Sequence, residues 1–139
     1  MTGKQTFTMI KPDAVEGGHT GAIIKMIQEA GFHVAAMKLT QMTAQQAGKF
    51  YEIHSERPFY KDLCDYMSSG PVIPMVLFKE NAVADFRTLI GATNPANAAD
   101  GTIRKLFAKS IEANAIHGSD SDENAVIESD FFFSKLERV

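Results

Sequence analysis

The chain has 139 residues, 45% of them hydrophobic, and a net charge of −3. That is one domain with an ordinary core; there is no room for a second full domain, and the apolar content argues against disorder. The acidic balance argues against an extended nucleic-acid-binding surface, which is usually basic. With only 14 Lys and Arg and four His, an anionic ligand must be held by few cations.

Cys64 is the single cysteine, so no disulfide framework or cysteine metal cluster is expected. Carboxylates at Asp62 and Asp65 would raise its thiol pKa, which reads as an idle thiol in a reducing compartment. Residues 1–5 carry no charged-then-apolar leader pattern, and the longest apolar run, residues 72–78, is too short to cross a membrane. A cytoplasmic location is expected.

In chain order, residues 6–10 read as a short strand stopped by Lys11-Pro12-Asp13. Ile23, Met26, Ile27 and Ala30 then share one helix face, and Gly31 stands where that helix would end. Residues 32–39 read as a second strand. Thr43 and Gln46 fit a capping box, followed by Ala47, Phe50, Tyr51 and His54 at helical spacing. Pro58 suits the first turn of another helix carrying Phe59, Leu63 and Met67 and ending at Gly70. Residues 71–78 read as a buried strand in which Pro74 removes a ladder donor, suggesting an edge position or a bulge. Asn81 begins a helix with Val83, Phe86 and Ile90 on one side. A loop over residues 92–100 precedes a short helix with Ile103, Leu106 and Phe107. Residues 113–116 are a short strand candidate breaking at His117-Gly118-Ser119-Asp120, and Ser121 caps a last helix to about Glu128.

The order is strand, helix, strand, helical insert, strand, helix, strand. It predicts an α+β fold over residues 1–139: a ferredoxin-like split β-α-β sandwich with a four-stranded antiparallel sheet, helices on one face and a helical insertion. No G-x-x-x-x-G-K-[ST] occurs and no G-x-G-x-x-G follows a strand, which disfavours P-loop and dinucleotide-binding folds.

His117 stands at a strand end beside a turn. Gly118 would let another group approach closely, and the helix start near Ser121 favours anions. Local sequence is compatible with an ordinary surface or core histidine, or with a nucleophile or general base. An imidazole keeps a lone pair near neutral pH and attacks without prior activation. Lys11, Arg87 and Arg104, at element ends near glycines, each read alone as solvated surface charges. Together they could clamp a phosphate, the arginines through planar forks of donors and the lysine as a point charge. Phe59, at a helix start, offers a stacking face or packs in the core. Tyr51 follows Phe50, so one of the two rings must leave the apolar face, and its phenol could orient another polar group. The histidines show no H-x-x-x-H or H-E-x-x-H spacing, so no protein metal site is expected. Asp120, Asp122 and Glu123 read first as a helix N-terminus.

Asn114-Ala115-Ile116-His117-Gly118-Ser119-Asp120 resembles the N-x-x-H-G-S-D signature of nucleoside diphosphate kinases. Residues 8–15, Thr-Met-Ile-Lys-Pro-Asp-Ala-Val, resemble the opening of that family. Residues 91–95 and 101–104 resemble its central loop and following helix. Three separated motifs in register, over nearly the whole chain, are a far stronger signal than any one of them.

The resemblance implies transfer of a terminal phosphoryl group from a nucleoside triphosphate, mainly ATP, to a nucleoside diphosphate through a phosphohistidine at His117. It implies phosphate binding by Lys11, Arg87, Arg104 and Thr93, ribose binding by Asn114 and Lys11, and base stacking on Phe59. Glu128 would orient the imidazole with support from Ser119, and Tyr51 would fix its pose. Mg²⁺ would arrive with the nucleotide. A homo-oligomer, hexamer or tetramer, is implied, with residues 92–100 and the tail near subunit contacts. Stacking discriminates weakly between bases, so broad base and sugar tolerance is expected. A non-catalytic nucleotide-binding protein of the same fold, and a protein phosphate relay through the same histidine, are the alternatives.

Overall fold

The computed structural model describes residues 3–139. Met1 and Thr2, part of the leader reading, lie outside them. The central strand is β1 (Gln5–Ile10). It pairs antiparallel with β3 (Ile73–Phe78) on one side and with β4 (Ile116–Gly118) on the other, while β2 (His33–Met37) pairs with the far side of β3. The sheet order is β2-β3-β1-β4. Helices α1 (Pro12–Glu16) and α2 (Thr20–Glu29) connect β1 to β2. Helices α3 (Ala44–Phe50) and α4 (Tyr60–Met67) form the insert before β3. Helices α5 (Ala82–Ile90) and α6 (Ile103–Phe107) lead to β4, and α7 (Asp122–Phe132) closes the fold.

Helices cover both faces of the sheet, not one. Ile10, Ile73, Met75 and Leu77 pack with Ile23 and Ile27 of α2 and Phe86 and Ile90 of α5. Phe7, Met9 and Val76 pack on the other face with Ala47 of α3, Cys64 and Met67 of α4, and Phe133. Side chains alternate across a strand, so a strand covered on both sides reads as a continuous apolar run. Residues 72–78 are such a run, and there the sequence carried the sign of a two-sided core.

Pro74 sits on an inner strand, opposite Met9, and the only register shift in the β2–β3 ladder lies at Val34/Ala36. Neither the edge nor the bulge explanation holds. Pro74 is tolerated because its missing donor faces the chain just beyond Met37, where the continuous β2–β3 ladder ends before pairing resumes at Thr40 and Val72. There Lys38 donates its N–H to the Pro74 carbonyl at 3.3 Å, and only the reciprocal bond is absent.

Other boundaries move for local reasons. Pro12 at the first position and Asp13 in the first turn start α1, which the sequence reading treated as a strand stop. Thr43 and Gln46 make the expected capping box. Ser121 caps α7 through the Asn124 N–H at 3.1 Å, but the helix runs four residues past Glu128, to Phe132. The last strand is shifted C-terminally and contains His117 instead of ending before it.

Gly118 makes room for the core, not for a ligand. A Cβ there would stand 2.9 Å from Ile90 Cδ1 and 3.2 Å from Phe86 Cδ2. Gly118→Ala should therefore cost about 1–3 kcal/mol through overpacking, read as a lower urea midpoint. An unchanged midpoint would show that α5 yields to the extra methyl group.

Candidate active site

β4 places His117 opposite Met9 of the central strand, and the Thr8 hydroxyl donates to the His117 carbonyl at 2.6 Å. The backbone beneath the imidazole is thus pinned from the sheet. From α7, Glu128 Oε1 lies 3.0 Å from His117 Nε2, and the same oxygen accepts the Ser119 hydroxyl at 2.6 Å. Ser119 is fully buried and is itself fixed by the Phe7 N–H, which donates to its Oγ at 3.2 Å. A carboxylate oxygen only accepts, so Nε2 carries the hydrogen. Nδ1 then keeps its lone pair, and among the described residues it has no hydrogen-bond partner.

Phe7, Phe50 and Tyr51 wall the imidazole, with ring centroids 6.0, 5.7 and 6.5 Å away. The His117 and Glu128 side chains remain 19% and 18% exposed, so the site is sheltered yet reachable. The Tyr51 hydroxyl is buried without a partner among the described residues. Burial, reinforced by the Glu128 carboxylate, pushes its pKa up, so it stays a neutral phenol beside the imidazole.

The cations gather on the approach to β4. Lys11 caps α1 and is almost fully buried, and its Nζ donates to Asn114 Oδ1 at 2.8 Å. Burial and then the Arg104 charge lower its pKa to about 8, while Asp13 opposes them. Arg104, on α6, is buried too. It donates to the carbonyls of Gly91 at 3.0 Å and of Ile116 at 2.8 Å, so it is tied to the residue preceding His117. Burial and then the Arg87 charge lower its pKa to about 10. Its Nε is buried without a partner among the described residues. Arg87 itself is exposed on α5. Asn114 links the groups further, donating from Nδ2 to the Thr93 carbonyl at 3.2 Å.

Phe59 is about half exposed at the N-cap of α4, with the His54 ring 5.6 Å away. It stands on the helical insert, and among the described residues its ring meets that of His54 and not that of His117. Cys64 is buried, and burial raises its thiol pKa, as expected of an idle thiol.

Two site-adjacent residues escaped the sequence reading. The buried Asp13 carboxylate accepts the Tyr66 hydroxyl through Oδ1 at 2.5 Å and the Ala115 N–H through Oδ2 at 3.1 Å. Ala115 has φ +74°, and the Ile116 N–H donates across it to the Asn114 carbonyl at 2.9 Å. That is a γ-turn of the positive-φ kind, which is rare and strained. An alanine gives no sequence sign of it. Pro12-Asp13 at a helix start was the only available pointer to Asp13.

A model of the nucleoside diphosphate kinase family matches residues 4–138. A nucleoside diphosphate kinase of Flavobacterium psychrophilum is 61% identical over 138 residues, covering 99% of both chains. That of Prosthecochloris aestuarii is 62% identical, covering 98% of this chain and 96% of its own. The crystal structure of the Aquifex aeolicus nucleoside diphosphate kinase superposes with TM-score 0.95 at 44% identity, covering 98% of this chain and 99% of that one. A nucleoside diphosphate kinase from Halobacterium salinarum, in complex with CDP, gives TM-score 0.91 at 34% identity, covering 98% and 91%. The chain belongs to the nucleoside diphosphate kinase family.

In this nucleoside diphosphate kinase fold the candidate residues form two connected groups. His117, Glu128, Ser119 and Tyr51 make one; Lys11, Asn114, Thr93 and Arg104 make the other, joined to the first through Ile116, while Arg87 stays exposed on α5 with its charge felt by Arg104. Phe59 stands apart.

The burial of Lys11 has a measurable consequence. Its pKa is about 8 folded against an ordinary 10.5, so between those values the unfolded chain holds the extra proton. Stability therefore carries the full penalty of a buried ammonium below pH 8 and recovers as pH rises to 10.5. Unfolding free energies of the wild type relative to Lys11→Met should rise between pH 8 and 10. A constant difference would contradict the burial cost assigned to Lys11.

Proposed function

We propose that this protein transfers the terminal phosphoryl group of a nucleoside triphosphate, mainly ATP, to a nucleoside diphosphate, with His117 as a covalent carrier. The observation that carries the reading is the anchored imidazole. Nε2 is tied to Glu128, which leaves the lone pair on Nδ1, and Arg104 is bonded to the carbonyl of the residue before His117.

In the first half-reaction Nδ1 attacks the γ-phosphorus. The N–P bond forms as the bond to the β,γ-bridging oxygen breaks, and the diphosphate leaves with that oxygen. In the second, a terminal oxygen of another diphosphate attacks the phosphohistidine, the N–P bond breaks, and the imidazole is restored. One pocket thus serves donor and acceptor in turn. Phosphoryl transfer demands mainly positioning and positive charge around the equatorial oxygens. Lys11, Arg87 and Arg104 supply the charge, Thr93 a hydroxyl, and Asn114 with Lys11 the contacts to the ribose. As the transfer proceeds Nδ1 becomes substituted and the ring turns cationic; the Glu128 carboxylate at Nε2 stabilises that charge.

Phe59 serves as the stacking face for the base. Every base has a π-face, so purine and pyrimidine, ribo and deoxyribo nucleotides are all accepted; the CDP bound to the Halobacterium salinarum relative fits a pyrimidine diphosphate ligand. Lys11, Arg87 and Arg104 are themselves donors, suited to phosphate oxygens. Mg²⁺ would arrive with the nucleotide and would lessen the negative charge of its phosphates. One domain over residues 1–139, a homo-oligomer (hexamer or tetramer) and a cytoplasmic location complete the reading. No helix among the described residues is long and apolar enough to cross a membrane.

Incubation with γ-labelled ATP and Mg²⁺, followed by removal of nucleotide, should leave an acid-labile label on the protein that chases into triphosphate when unlabelled diphosphate is added. His117→Ala should abolish the label while keeping the fold, and label surviving that substitution would refute the assignment. Glu128→Gln keeps the shape but loses the charge; kcat should fall about 10–100-fold. An unaltered kcat would remove Glu128 from the mechanism.

A further inference from the structure

We infer that Asp13 is a positioning residue for His117, and that Tyr66 orients it, so that the helical insert and the nucleophile's strand are locked to each other. The inference rests on the proposed phosphohistidine chemistry and adds two residues to it.

The geometry begins at Ala115. Its positive φ is a conformation that only glycine adopts without strain, yet the residue is alanine and fully buried. A strained turn persists only where its surroundings over-determine it, and here three backbone bonds do so. The Ala115 N–H donates to Asp13 Oδ2 at 3.1 Å, its carbonyl accepts the Lys11 N–H at 2.9 Å, and the Ile116 N–H closes the turn onto Asn114 at 2.9 Å. Two of the three come from the segment that carries Lys11. The turn fixes the direction of Asn114 on one side and of Ile116 and His117 on the other. In the proposed reaction Asn114 and His117 serve the same nucleotide, so an error at Ala115 displaces both.

Asp13 is the only side chain of the three holds, and a carboxylate can rotate. Tyr66 prevents that. Its hydroxyl donates to Asp13 Oδ1 at 2.5 Å and accepts from the Asp13 N–H at 3.1 Å, so one phenol grips both ends of the residue. Burial and the Asp13 carboxylate raise the Tyr66 pKa, which keeps the proton in place at working pH. Tyr66 lies near the end of α4, whose N-cap is Phe59. The helix that presents the stacking ring therefore also braces the turn that aims the nucleophile.

Tyr66→Phe removes only the hydroxyl, and two phosphoryl donors separate positioning from a role in nucleotide binding. The first is γ-labelled ATP. The second is labelled phosphoramidate, which has neither base nor sugar; with it Nδ1 attacks phosphorus, the P–N bond breaks and ammonia leaves. The single-turnover rate of label entering His117 should fall about tenfold with both donors, and amide exchange at Ala115 should accelerate. Asp13→Asn, which puts a donor where an acceptor is required, should give the same pattern and serves if the tyrosine variant does not fold. Rates within twofold of wild type for both donors would overturn the inference. So would a fall confined to ATP, since the hydroxyl would then serve only the insert. Wild-type protein that takes no label on His117 from ATP would instead overturn the phosphohistidine reading, and this inference with it.

Discussion

In the proposed reaction a histidine attacks phosphorus through a nitrogen that keeps its lone pair, and the hydrogen bond of His117 Nε2 to Glu128 leaves that lone pair on Nδ1. The remaining architecture serves this one hydrogen bond. α7 must reach back to β4 to deliver Glu128, and Ser119, fully buried against Phe7, fixes the carboxylate oxygen that Nε2 uses. The sheet pins the histidine backbone through Thr8, and three aromatic rings close around the imidazole. A free imidazole exchanges tautomers readily; this one is held in the form with Nδ1 open.

The second constraint is charge without counter-charge. An acidic chain of net −3 nevertheless holds Lys11 and Arg104 where burial, and then the charge of a neighbouring arginine, lower their pKa values. The Asp13 carboxylate favours charge on Lys11, but both its oxygens are already occupied by Tyr66 and Ala115. Such an arrangement costs stability in the free protein, and in the proposed function a polyphosphate would relieve it. Buried charges that lack partners are costly, and sites that hold them are candidates for binding the missing partner.

What was legible in the sequence was local. The capping box at Thr43 and Gln46 and the cap at Ser121 lie within three residues of their partners and were read correctly. His117, Ser119 and Glu128 lie within eleven residues of one another and belong to one motif and the helix after it. What was not legible depended on distance or on the third dimension. Each amphipathic helix announced a buried stripe, but nothing in the stripe says which face of the sheet it meets. Asp13 finds Tyr66 53 positions away and Ala115 102 positions away, and an alanine at positive φ has no sequence signature. Gly118 was rightly marked as a close approach, but the approaching groups are Ile90 and Phe86 of the core.

The account stands on which ring nitrogen receives the phosphoryl group. Nitrogen-15 and phosphorus-31 NMR of protein carrying labelled histidine, phosphorylated by ATP and kept alkaline, measures this directly. The structure requires phosphorus coupled to Nδ1 of His117, with Nε2 protonated and held by Glu128. Phosphorus coupled to Nε2 would mean that the carboxylate does not select the nucleophile, and the account of this site would fail.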